Sequence, residues 1–180
     1  MITSSPQIVL ARYGAISEVA RFRWLLDCEP QRGQRVVVKS HRGEMLGTVL
    51  ERVEAAHDPH AENEVDFKVV RLPNAEDERR AIELQRRASD EYGDWLGRIA
   101  EWNIDLQLID LERTLDGEKL ILYVLCDRGP ESTKLALHAA AGGLGIVEVQ
   151  PVDREGLVVI PSSGGGCGSG GCGSGGCASH

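Results

Sequence analysis

Cys167, Cys172 and Cys177 recur at a fixed interval of five in a segment otherwise made almost only of glycine and serine. Thiols in such a segment have no core to pack into, so any use they have is chemical. Thiolate ligation is what an iron–sulfur cluster or zinc requires, and these cysteines offer three ligands, with His180 a conceivable fourth. The four residues between successive cysteines are more than the two typical of a zinc knuckle. Ordering about ten Gly/Ser-rich residues costs on the order of 10–20 kcal/mol of backbone entropy, whereas a structural metal returns about 10–16 kcal/mol. The two nearly cancel. A site shared with a partner that supplies ligands therefore fits better than a self-contained one, an iron–sulfur cluster first and zinc second. Two other uses stay open: a redox-sensing disulfide between Cys167 and Cys172, and a flexible tail whose thiols arose by expansion of the near repeat Gly-Gly-Cys-Gly-Ser.

A second set of candidates is cationic. Arg21, Arg23, Arg32, Arg35, Lys39 and Arg42 lie close together in sequence, and Arg35, Lys39 and Arg42 are the best placed to meet nucleic-acid phosphates, which set affinity without reading sequence. The chain as a whole carries a formal charge of −8, which disfavours a general binder of polyanions. Residues 1–73 hold ten Lys/Arg against ten Asp/Glu, however, and residues 74–180 hold ten against eighteen, so the whole deficit lies in the second part. An RNA-reading sheet also needs two or three stacking aromatics, and the apolar run Lys119–Cys126 offers only Tyr123. An ordinary solvated face is the favoured reading of these cations.

The histidines and carboxylates carry less. His41 falls in a hairpin loop, His57 and His60 in another, and no carboxylate or cysteine pattern completes a metal site around them. His138 is expected to be satisfied locally. Phosphate-binding, nucleophile-elbow and zinc-protease motifs are missing, and pairs such as Asp110 and Glu112 lack a nucleophile-and-base constellation. A non-enzymatic protein is expected. Met1 to Leu10 lacks the basic start and apolar run of a signal peptide, and apolar runs stop at about five residues against the roughly 20 of a membrane span. A cytoplasmic location with reduced thiols follows, and Cys28 and Cys126, in apolar surroundings, are expected to be small buried hydrophobes.

The elements that would position these residues form an α+β chain. Short apolar runs at Ile8–Arg12, Ile16–Leu26, Arg35–Lys39, Met45–Val53 and Val65–Leu72, separated by turn signals, read as a small N-terminal β-barrel-like subdomain. Gly43 closes one hairpin at positive φ. Asn74 caps a long helix whose apolar stripe is Ile82, Ala88, Tyr92, Trp95, Leu96, Ile99 and Trp102, with Gly93 and Gly97 placed to admit a close neighbour. Asp116-Gly117 turns a hairpin, a second helix runs from Pro130 to Ala141, and Ile146–Val149 closes the pattern. Counted from Val65–Leu72, the order is β-α-β-β-α-β, a ferredoxin-like unit. The expected organisation is a barrel-like subdomain over 1–64, a ferredoxin-like subdomain over 65–150, and a linker with a disordered Gly/Ser/Cys tail over 151–180.

The strand after the Asp-Gly turn has two apolar rows. Leu120, Leu122, Val124 and Cys126 alternate with Ile121, Tyr123 and Leu125. Helices can cover only one row, and leaving three large side chains wet would cost of order 5 kcal/mol. Cover by the barrel is expected for Ile121, Tyr123 and Leu125, with a partner or oligomer interface as the second choice.

The run Val36-Val37-Val38-Lys39-Ser40-His41-Arg42-Gly43-Glu44-Met45-Leu46-Gly47-Thr48-Val49 resembles the strand–turn–strand signature of the RicT (YaaT) proteins, of the polymerase-suppressor (PSP) C-terminal conserved-region family. Asp105-Leu106-Gln107-Leu108 and Thr114-Leu115-Asp116-Gly117-Glu118-Lys119-Leu120 are similar to the same family's later block. The resemblance covers roughly residues 8–150. It implies a non-enzymatic adaptor that joins small helical partners (RicA and RicF) into a complex steering the endoribonuclease RNase Y in RNA processing. It also implies C-terminal cysteines that help hold a shared iron–sulfur cluster, in the pattern Cys, four residues, Cys-Cys. Cys167 and Cys172 repeat the first spacing; Gly173 replaces the paired cysteine, and Cys177 follows five residues after Cys172. The second helix opens Pro130-Glu131-Ser132 instead of the family's Asp-Phe-Arg, and Asp153-Arg154-Glu155 only approximates its closing stretch.

Overall fold

A computed structural model describes residues 7–53, 67–125, 130–153 and 156–158. Five strands close a barrel: β1 (Gln7–Tyr13), β2 (Glu18–Trp24), β3 (Arg35–Ser40), β4 (Gly43–Val53) and β5 (Lys68–Arg71), in the order β1-β2-β5-β3-β4. β2 and β5 run parallel, and every other pairing in the barrel is antiparallel. Alternation drives the closure. Val9, Ala11 and Tyr13 on β1, Phe22 and Trp24 on β2, and Val36 and Val38 on β3 all point inward and are buried. Gly43 sits at φ +127 in the β3–β4 turn, as its sequence position implies, and a Cβ there would come within 3.1 Å of the Thr114 side chain.

The helix α1 (Ala75–Glu101) follows. Its start is a capping box: the Asn74 side chain accepts from the Asp77 N–H at 2.9 Å, and the Asp77 carboxylate accepts from the Asn74 N–H at 2.9 Å. The same carboxylate pairs with Arg71 at the end of β5, so barrel exit and helix entry are one construction. That hydrogen-bonded pair, with the Asn74 N–H, holds the Asp77 carboxyl below the usual carboxylate range.

Beyond α1, β6 (Gln107–Arg113), β7 (Lys119–Leu125), α2 (Glu131–Ala141), β8 (Ile146–Asp153) and β9 (Gly156–Leu157) build a second sheet of order β6-β7-β8-β9. β6–β7 is the expected hairpin, and β8 lies parallel to β7. Ala88, Trp95 and Ile99 of α1 and Leu135 and Ala139 of α2 cover one face, meeting Leu120, Leu122 and Val124. The opposite face meets the barrel: Ile121, Tyr123 and Val152 belong to the same buried cluster as Val9, Phe22 and Val38.

Several expectations change. The fifth barrel strand was expected at Val65–Leu72 and also as the first strand of a ferredoxin-like unit. Among the described residues β5 pairs only with β2 and β3, so the barrel extends through Arg71 and the second sheet has no strand before α1. The 64/65 boundary therefore cuts through the barrel, and β8 and β9 carry the sheet past residue 150. Ile82 and Leu96 leave the helix stripe, at 62% and 44% exposure, and Leu84 joins the buried face. Gly93 and Gly97 admit no neighbour, since a Cβ at either would meet nothing within 4 Å. Cys28 is exposed, lying in the turn after β2 where its carbonyl accepts from Trp24 Nε1 at 2.5 Å.

Two outcomes are expected. Gly93→Ala and Gly97→Ala should each raise the free energy of unfolding by about 1 kcal/mol in urea titrations, since each adds helix propensity without a clash. Asp77, with a depressed carboxyl pKa in the fold, contributes stability that is fully present above its unfolded value of about 3.9 and is lost as pH falls through the folded one. Asp77→Asn should therefore flatten the acid limb of a stability-against-pH curve below about pH 4.

Candidate functional site

The polar groups that converge in this protein do so where barrel meets sheet. Arg42, in the β3–β4 turn, is only 2% exposed. Its Nη2 donates to Glu18 Oε2 of β2 at 2.6 Å, and its Nη1 donates to Tyr123 Oη of β7 at 3.4 Å. Tyr123 Oη in turn donates to Glu112 Oε2 of β6 at 2.5 Å, while Glu112 Oε1 accepts from the Ala15 N–H at 2.9 Å. The guanidinium also lies 5.8 Å from the ring centroid of buried Tyr13. One chain of hydrogen bonds thus runs from β2 through the β3–β4 turn to β7, β6 and back to the β1–β2 turn.

The protons in this chain are fixed by their surroundings. Burial and the neighbouring Glu112 carboxylate push the Tyr123 phenol far above its ordinary value, and burial and Glu18 do the same to Tyr13. Both remain neutral hydroxyls. Burial also raises the Glu112 carboxyl, against the pull of Tyr123, the Ala15 N–H and Arg42. Around it the turn after β6 ties the lobes again. Leu115 N–H donates to Glu44 O at 2.7 Å, Arg80 Nε of α1 donates to Leu115 O at 2.6 Å, and Lys119 Nζ donates to His41 O at 3.1 Å.

A cleft of about 290 Å³ opens beside this joint, between the barrel, α1 and β6. Met45, Leu46, Leu84, Leu111 and Leu115 form its apolar lining, and Arg35, Asp110, Glu112 and Arg113 stand at its polar side. The two guanidiniums are paired with carboxylates of α1, Arg35 with Glu78 at 3.1 Å and Arg113 with Glu91 at 2.7 Å. Glu112 has both oxygens engaged as above. The arrangement can hold a small apolar group beside a polar wall. Ser89, whose hydroxyl donates to Gln85 O at 3.0 Å, also lines it.

The candidate residues of the sequence are thus separated. Arg42 is withdrawn from any phosphate-binding set, because its charge faces Glu18 and Tyr123 inside the protein. Arg35 is exposed but paired, and Lys39 is exposed on the barrel wall. Ile121 and Tyr123 are fully buried against the barrel, which removes them from a partner interface, whereas Leu125 is 45% exposed at the end of β7. His138 stacks on Trp102, ring centroids 5.0 Å apart. Cys126, His57, His60, His180 and the candidate ligands Cys167, Cys172 and Cys177 lie outside the described residues. Among the described residues no group of three or more His, Cys, Asp or Glu side chains is placed to hold a metal ion. Sequence reasoning missed Glu18 and gave Glu112 no partner; the only signal was that each is an acidic residue next to a turn.

Compared with family models, curated proteins and solved structures, the chain finds no match in any of the three.

Removing one member of a buried ion pair leaves the other uncompensated, a loss of about 3–5 kcal/mol. Arg42→Met should therefore lower the unfolding free energy by about 3 kcal/mol, and adding Glu18→Gln should recover part of that loss. Lys39→Met, on the exposed wall, should change it by no more than about 0.5 kcal/mol. Urea titration of the four proteins measures all of this.

Proposed function

We propose that this protein is a non-enzymatic cytoplasmic adaptor of the RicT-like kind, a rigid two-lobed body that holds protein partners in a complex acting on RNA processing. The observation that carries this reading is the joint. The ionisable groups that converge there, Arg42, Glu18, Tyr123 and Glu112, hydrogen-bond to one another across the lobes, which supports reading them as a structural tie. What the body presents outward is apolar contact: Ile82, Leu137 and Ile146 are 62%, 64% and 58% exposed. Single exposed side chains of this kind are common on any surface, so the reading rests on the joint and on the resemblance of the β3–β4 hairpin and the 105–120 block to the RicT proteins. No helix among the described residues is long and apolar enough to cross a membrane.

In this reading Cys167, Cys172 and Cys177 donate thiolates to an iron–sulfur cluster completed by partners such as RicA- and RicF-like chains, with zinc as the second choice, and RNase Y is engaged through them. The test is purification from native cells without oxygen, alone and with whatever co-purifies. The expected outcome is iron and a visible cluster absorbance in the complex, both lost when the three cysteines are changed to serine while the small helical partners remain bound. A complex free of iron and zinc would remove the role of the thiols. Isolation of the chain without any stoichiometric partner would remove the adaptor itself.

A further inference from the structure

Strand register sets three cations side by side on the outer wall of the barrel. Arg23 of β2 is the register partner of Lys68 of β5, and Lys68 is the register partner of Lys39 of β3. Register partners on adjacent strands point to the same side of a sheet, about 5 Å apart, so the three form a row roughly 10 Å long. Lys39 is exposed, and Lys68 and Arg23 are half-buried. Like charges directly opposite each other weaken a sheet. Among the described residues no ion pair relieves any of the three, and Glu44, opposite Lys39 on β4, forms none with it. Arg23 Nε is also buried without a hydrogen-bond partner.

An aromatic stack reaches the surface next to two of these cations along the chain. Phe67 precedes Lys68, and His41 follows Lys39 by two. The His41 ring stacks on Phe67 with centroids 5.5 Å apart and planes at 25°, and Phe67 stacks on core Phe22 at 5.5 Å and 27°. Three rings therefore lead from the barrel core to the surface, with His41 exposed at the outer end. The acidic groups nearest that ring are already engaged, Glu18 with Arg42 and Glu148 with Lys119 at 3.5 Å. Partial burial and Arg42 hold the imidazole below its ordinary pKa, which keeps it a neutral ring at neutral pH.

We infer that this wall binds single-stranded nucleic acid, with phosphates on Arg23, Lys68 and Lys39 and an unstacked base on the outer face of His41. A row of cations with a stacking ring is the combination that sequence-tolerant single-strand binding uses. A duplex keeps its bases stacked and offers none to His41. This inference does not depend on the adaptor reading, because it concerns the barrel wall and no protein partner.

The test is fluorescence anisotropy of a labelled oligouridine of about 20 nucleotides with the full chain, kept reduced, between about 50 and about 200 mM salt. Three phosphate contacts predict a slope of log affinity against log salt of about −2. Lys39→Gln with Lys68→Gln should bring the slope near −0.7 and weaken binding at about 50 mM salt by tenfold or more. His41→Ala should weaken binding by about tenfold with the slope unchanged, and His41→Tyr should restore it. Absence of binding at about 50 mM salt, or a lysine double variant with the parent's affinity and slope, would overturn the inference. So would equal affinity for a duplex of the same length, or tighter binding to phosphatidylserine vesicles, which would give the wall to a membrane surface.

Discussion

A buried arginine holds this protein together. Arg42 brings a full positive charge to the boundary between a barrel and a sheet, where Glu18 and Tyr123 accept from its two terminal nitrogens while Nε stays buried without a partner. A charge taken out of water costs several kcal/mol unless its partners are well placed, so the two lobes are constrained to one mutual arrangement. Glu112 and the Ala15 N–H extend that constraint to a third and a fourth element. Shifting the sheet on the barrel would leave a guanidinium, a phenol and a carboxylate unsatisfied together.

Apolar packing follows the same line. The barrel's core is completed by Ile121, Tyr123 and Val152 from the sheet, and the sheet's other face is completed by the helices. β7 is consequently buried on both sides, which explains its nearly unbroken apolar sequence. The start of α1 adds a covalent and a polar hinge point at one place, since Arg71, Asn74 and Asp77 bind one another within six residues of chain. The barrel cluster thus takes in residues of the sheet, whereas the cluster beneath the helices is built by the sheet and helices alone.

Much of this was legible in the residues. Turn signals and inward alternation marked the barrel strands, Asn74 marked the start of α1, and the two apolar rows of β7 required cover on both faces. What was not legible depended on long-range pairing. Val69 and its neighbours have the same alternating pattern whether they close a barrel or open a split β-α-β-β-α-β unit, and only the partner strand decides between them. Arg42 followed Lys39 in a polar hairpin and looked like a solvated cation. Its burial depends on Tyr123, 81 residues away, and no local pattern encodes that meeting. The cationic row was hidden in the same way, because Lys68 joins Arg23 and Lys39 only through the register of β5.

If one buried charge network fuses the lobes, they should open together. Native-state hydrogen exchange resolved by residue tests this directly, comparing Val36, Val37 and Val38 of the barrel with Ile121, Leu122 and Val124 of the sheet. The account predicts one shared opening free energy for the two groups, equal to that of global unfolding and lowered by the same amount in both by Arg42→Met. Two distinct opening energies, with the substitution affecting only the barrel amides, would contradict it.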